Sequence, residues 1–115
     1  MKEDKRIKRV TFIEESARNA FEKLKEGRFE DKTLYEFIDR AIDDLEGNPF
    51  VGVRIAKRLW PKEYIQKYQA NNLWKYDLPN GWRMIYTITT PNKIEIISII
   101  LEWFNHPEYE RRFHY

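Results

Sequence analysis

The chain of 115 residues is 42% hydrophobic and 16% aromatic with a net charge of only +2, a composition that excludes a disordered chain and sets one domain with a modest core. It holds no cysteine, which removes disulfide frameworks, thiolate metal sites and a cysteine nucleophile, and its apolar runs fall far short of the ~20 residues of a membrane span. No apolar segment follows the basic start MKEDKRIKR, so a cytoplasmic chain without membrane contact is the expectation.

Residues 8–13 read as a short first strand with Val10 and Phe12 on one side. In EESARNAFEKLKEGR, residues Ala17, Ala20, Phe21 and Leu24 fall at helical spacing, and Gly27 closes the segment, giving a helix over about 15–26. A second helix, over about 32–46, starts near Asp31 or Thr33 and carries the stripe Leu34, Phe37, Ile38, Ala41, Ile42 and Leu45 until Gly47-Asn48-Pro49 stops it. Between 49 and 72 the anchors are Val53, Ile55, Leu59 and Trp60, followed by one or two helical turns in PKEYIQKY with Tyr64, Ile65 and Tyr68 facing inward. Residues 73–78 and 82–89 form a hairpin around Pro79-Asn80-Gly81. Thr90-Pro91-Asn92-Lys93 then turns into the β-branched run IEIISIILEWF, an inner strand covered on both faces, and HPEYERRFHY is a short helix or an extended tail.

Hairpin order makes the last three strands antiparallel, and the first strand joins them by crossing the two helices. The expected architecture is therefore α+β: a single domain over 1–115, ordered β-α-α-β-β-β, with a two-helix hairpin on one face of a four-stranded, mainly antiparallel sheet. Leu34, Phe37, Ile38, Ala41, Leu45, Ile97 and Ile99 are its expected buried residues.

Charge is unevenly spread. Between residues 51 and 72, Arg54, Lys57, Arg58, Lys62 and Lys67 face Glu63 alone, while acidic residues gather between Glu30 and Glu46. A basic segment of this kind is either solvated surface or an electrostatic footprint for nucleic acid. Strand alternation puts Trp74, Tyr76 and Leu78 on one face and Lys75 and Asp77 on the other. In the next strand Trp82, Met84, Tyr86 and Ile88 oppose Arg83, Ile85, Thr87 and Thr89. The more apolar sets belong against the helices, which leaves Lys75, Asp77 and Arg83 on an open face beside the same turn. They read either as a cross-strand ion pair worth a few tenths of a kcal/mol, or, with Arg111 and Arg112 from the tail, as a surface that holds a phosphate backbone.

His106 and His114 have no metal-like company and HPEY lacks a second histidine at i,i+4, so no metal or other cofactor is expected. An imidazole's ordinary pKa lies near neutrality, so His106 is a candidate acid or base. No nucleophile-elbow serine and no glycine-rich phosphate loop occur among the four glycines, which removes covalent hydrolase, kinase and dinucleotide readings.

Three stretches together carry a resemblance. NPFVGVRI follows the second helix, LWKYDLPNGWRMIYTI forms the hairpin, and WFNHPEYERRF closes the chain. In this order they resemble the RelE/ParE superfamily of small bacterial and archaeal toxins from toxin–antitoxin pairs, over Val10 to about Tyr109 with an insertion around WPKEYIQKY. The resemblance implies a toxin that cleaves messenger RNA on the ribosome without a metal: the 2′-hydroxyl attacks the adjacent phosphate, leaving a cyclic phosphate and a free 5′-hydroxyl. It places the family's hairpin arginine on Arg83, one of its lysines on Lys75, its closing tyrosine on Tyr109 and a catalytic histidine on His106. Arg54, Lys57, Arg58, Lys62, Lys67, Arg111 and Arg112 would then bind RNA. Two positions depart from the pattern: Asp77 stands where a second lysine is expected, and no arginine occurs near Trp103 or Phe104. The implied partners are an antitoxin protein and messenger RNA on the ribosome, in a toxin–antitoxin hetero-oligomer or a homodimer. The alternatives are a catalytically inactive RelE-like protein-binding module and a gyrase-inhibiting ParE-like toxin.

Overall fold

The computed structural model describes residues 4–113, so His114 lies outside the described residues. The chain adopts an α+β fold in the order β1 (Ile7–Phe12), α1 (Glu15–Lys23), α2 (Phe29–Gly47), β2 (Val53–Arg54), α3 (Lys62–Tyr68), β3 (Trp74–Asp77), β4 (Arg83–Thr89), β5 (Glu95–Phe104) and α4 (His106–Phe113). The sheet has five strands rather than four, ordered β1-β5-β4-β3-β2. β1 runs parallel to β5, and every other pairing is antiparallel. The added strand, β2, is two residues long and pairs Val53 with Lys75 and Arg54 with Trp74.

α2 starts at Phe29, earlier than Asp31 or Thr33, because the Asp31 carboxylate accepts the Arg28 N–H at 3.0 Å and satisfies one of the unpaired donors of the first turn. The helix ends at Gly47 ahead of Pro49, as proline cannot continue it. Its inward stripe, Leu34, Ile38, Ala41 and Leu45, is buried against Phe21 of α1 and against Leu78, Met84, Tyr86 and Ile100 of the sheet. Phe37 is only partly covered at the edge of this core.

The opposite face of the sheet is not open. Ile85, Leu101 and Phe104 pack there against Tyr64 of α3 and against Tyr109 and Phe113 of α4, so helices lie on both faces rather than one. Ile65, expected to point inward, is 46% exposed. A seven-residue helix presents a narrow inner face, and Tyr64 and Tyr68 fill it. In β5 the phase also differs from expectation: Ile96, Ser98 and Ile100 have no exposure, whereas Ile97 and Ile99 are partly covered. Tyr86 pairs with Ile100 while Ile85 pairs with Glu102, so Leu101 is an extra residue in a bulge that turns it into the second core. Ile99 reaches that second core, and Ile97 lies beyond it.

Entry into β2 is pinned by one buried phenol. Tyr86 donates its hydroxyl to the Pro49 carbonyl at 2.8 Å and accepts the Gly52 N–H at 3.1 Å. A Cβ at Gly52 would lie 2.5 Å from the Lys75 carbonyl oxygen and 2.6 Å from the Tyr86 hydroxyl oxygen, so the backbone passes there only as glycine. Burial pushes the phenol up to about 12, and it stays protonated through neutral pH. Tyr86→Phe, which leaves a carbonyl and an N–H without their partner, should lower unfolding stability by about 1–3 kcal/mol in a denaturant titration. A change below the error of that titration would show that water replaces the clamp.

Candidate functional site at the hairpin and the last helix

The hairpin positions its charges by register. Asp77 and Arg83 face each other directly across the β3–β4 pair. The turn between them passes through Asn80 and Gly81, both with positive φ (61° and 81°), a conformation that asparagine tolerates and glycine adopts freely. A Cβ on Gly81 would lie 3.2 Å from the His106 Cβ, so the turn rests on the first residue of α4.

On the face carrying α4, Lys75, Asp77 and Arg83 converge. Arg83 Nε lies 2.9 Å from Asp77 Oδ1, and Lys75 Nζ lies 3.1 Å from the same oxygen and 3.4 Å from Oδ2. Arg83 Nη1 also donates to the Trp82 carbonyl at 3.1 Å, which fixes the guanidinium plane. The ring of Tyr109 lies beside both cations, 5.8 Å from Lys75 Nζ and 6.0 Å from Arg83 Cζ. Its π-face favours a positive charge at that range. The two cationic side chains are only 19% and 18% exposed, against 51% for Asp77. The corner is therefore two largely covered cations, an aromatic wall and one half-exposed carboxylate that both cations touch.

Four expected site residues come together here. Lys75, Arg83 and Tyr109 are in contact, and His106 stands at the rim beside the turn. Tyr109 is 3% exposed, so it serves as a wall rather than a reaching side chain. His106 is exposed and its Nε2 lies 2.8 Å from Glu110 Oε1 one helical turn on.

The seven residues expected to bind RNA are not gathered around this corner. Arg54 sits opposite Trp74 in the register, on the α2 face of the sheet edge. Lys67 lies 3.9 Å from Glu14 and over the Tyr68 ring. Arg111 and Arg112 both bind Glu108, at 2.5 and 2.9 Å, and Arg112 also reaches Glu63 at 3.4 Å. Those arginines hold the Glu108 carboxyl below its ordinary value, Arg112 contributing most. They tie α4 to itself and to α3. Lys57, Arg58 and Lys62 remain exposed, and among the described residues they form no ion pair.

Sequence reasoning missed two polar contacts that shape the site's surroundings. Tyr64 donates to Glu102 Oε2 at 2.5 Å beneath α3, and burial first, then that carboxylate, holds its phenol far above the ordinary range. Tyr76 donates to Asp44 of α2, and burial followed by this bond pushes it up to about 12. Both depend on residues more than thirty positions apart, and no local spacing signals them.

Among the described residues no group of three or more histidine or carboxylate side chains is placed to hold a metal ion, and no helix is long and apolar enough to cross a membrane. Compared with protein-family models, curated proteins and solved structures, the chain matches none.

Proposed function

We propose that this chain is the toxin of a toxin–antitoxin pair and a metal-independent endoribonuclease that cleaves messenger RNA on the ribosome. The observation that carries the reading is the corner where Lys75 and Arg83, held at 19% and 18% exposure, converge on one oxyanion position beside the Tyr109 ring. Supporting it is the helical hairpin that separates β1 from the antiparallel β3-β4-β5 meander, the order that the RelE/ParE resemblance implies.

In this reading a phosphodiester takes the place of the Asp77 carboxylate. The Arg83 guanidinium offers a rigid donor fork to its non-bridging oxygens, and Lys75 offsets the charge that builds as the phosphorus becomes five-coordinate. The 2′-oxygen forms a bond to phosphorus and gives up its proton to solvent water, and the bond from phosphorus to the 5′-oxygen breaks, leaving the 2′,3′-cyclic phosphate. His106, at the rim, is the side chain suited to protonate that leaving oxygen. A nucleotide lying on the exposed side of Lys75 and Arg83 presents its phosphate without needing Tyr109 to move.

The second reading, an inactive RelE-like module that works by binding a protein partner, is favoured by one observation: Asp77 already neutralises part of the corner. The test for both is the same. Purified chain added to translating ribosomes should generate messenger fragments with cyclic phosphate and 5′-hydroxyl ends, mapped by end-specific ligation. Intact messenger at all protein concentrations, together with a stable complex with the neighbouring gene's product, would favour the binding module.

A further inference from the structure

We propose that Asp77 is a built-in competitor at this corner: a tethered anion that occupies the phosphate position and keeps weakly held free anions out. The inference rests on the Lys75–Arg83 corner being the ligand site of the proposed function, and it goes beyond that function in assigning the carboxylate a role of its own.

Three features carry it. The cations are largely covered, whereas Asp77, which touches both of them, is half exposed and is held by those two contacts. Asp77 also ends β3 where the neighbouring strand has stopped: β2 pairs only with Trp74 and Lys75, so no strand pairs with Asp77 on its outer side. Finally, a groove of about 440 Å³ opens next to it toward the α2 face, lined by Asp77 itself together with Glu36, Arg40, Tyr76 and Phe37. A displaced carboxylate has room on that side, with Arg40 to meet it and Glu36 to keep clear of.

The consequence follows from population arithmetic. A ligand that needs the open corner binds with an affinity reduced by the fraction of molecules in which Asp77 has swung away. Every anion meets the same reduction. Inorganic phosphate or a mononucleotide, held by a single anionic contact, falls out of the useful range. A nucleic-acid strand does not, because adjacent nucleotides add contacts that offset displacement of the carboxylate. The carboxylate therefore raises the affinity a ligand must supply, a threshold that an extended phosphodiester clears and a singly held free phosphate does not, while their affinity ratio is unchanged.

The probe for the test is inorganic phosphate, titrated into the full chain while the Arg83 Nε–H resonance is followed by NMR. Asp77→Asn keeps size and removes charge. If the paired state holds nine-tenths of the molecules, Asp77→Asn binds phosphate at least about tenfold more tightly than the wild type. Asp77→Ser should gain similarly, which guards against a peculiarity of the amide. Adding Arg83→Gln should abolish the gain. Affinities within about twofold across wild type, Asp77→Asn and Asp77→Ser overturn the proposal, as does a gain that survives Arg83→Gln. Messenger cleavage measured on the same proteins separates the two ideas. Tighter phosphate binding with no cleavage by any variant overturns the ribonuclease reading and leaves the role of Asp77 standing. Cleavage accompanied by unchanged phosphate affinity does the reverse.

Discussion

Arg83→Ala should lower ribosome-dependent messenger cleavage by at least ~100-fold, the scale of removing one major donor to a developing oxyanion. The guanidinium is held by its Nη1 hydrogen bond to the Trp82 carbonyl and lies beside Asp77, so little reorganisation is needed on binding. No other side chain can replace it: Lys75 is a point charge with no planar fork, and Arg111 and Arg112 are engaged by Glu108. Arg83→Lys, which keeps the charge and loses the fork, should recover only part of the rate. The fold should survive, because ion pairs with a half-exposed carboxylate are worth at most ~1 kcal/mol. Single-turnover cleavage rates, read beside melting curves of the same proteins, check both halves. Equal rates for wild type and Arg83→Ala would remove Arg83 from the chemistry, and if neither exceeded a no-protein control the hairpin would be a binding surface instead.

How much of this was legible in the sequence depends on how local each feature is. The α2 stripe and the alternation in the hairpin are short-range patterns, and they located Leu34, Ile38, Ala41, Leu45, Met84 and Tyr86 inside and Lys75, Asp77 and Arg83 together on the opposite face of the sheet. The ion pair of Asp77 with both cations was foreseeable from the same parity. In IEIISIIL both parities are apolar, so periodicity cannot choose the inward phase, and the Leu101 bulge shifts it midway. β2 escaped notice because two residues carry no period. It exists through the Tyr86 hydroxyl, which meets Pro49 and Gly52 from more than thirty positions away. The covered second face had a local signal that was too short to weigh: Tyr109 and Phe113, four apart, are the inward side of α4. That helix changes the candidate site, because it converts an open face of rings and cations into a walled corner. It also draws the tail arginines into its own ion pairs.

Phe113→Ala tests whether α4 is part of that corner or a tail laid over it. Phe113 has no exposure and its ring lies 4.8 Å from that of Tyr109 and 5.6 Å from that of Tyr64, measured between centroids. Truncating a buried phenylalanine to alanine removes its transfer energy and leaves a cavity, together about 3–5 kcal/mol. α4 has only two buried side chains, Tyr109 and Phe113, so the remaining contact is too small to hold the helix against the entropy of its release. The expected result is a loss of about 3–5 kcal/mol in a denaturant titration, with amide protection lost first in residues 106–113. The Lys75 and Arg83 side-chain resonances should shift as the Tyr109 ring leaves them, and cleavage should fall although neither cation has been touched. Phe113→Leu, which retains most of the volume, should cost about 1.5 kcal/mol or less and keep the resonances in place. A loss under about 1 kcal/mol for Phe113→Ala, with unshifted Lys75 and Arg83 signals, would mean that the corner is built by the hairpin alone.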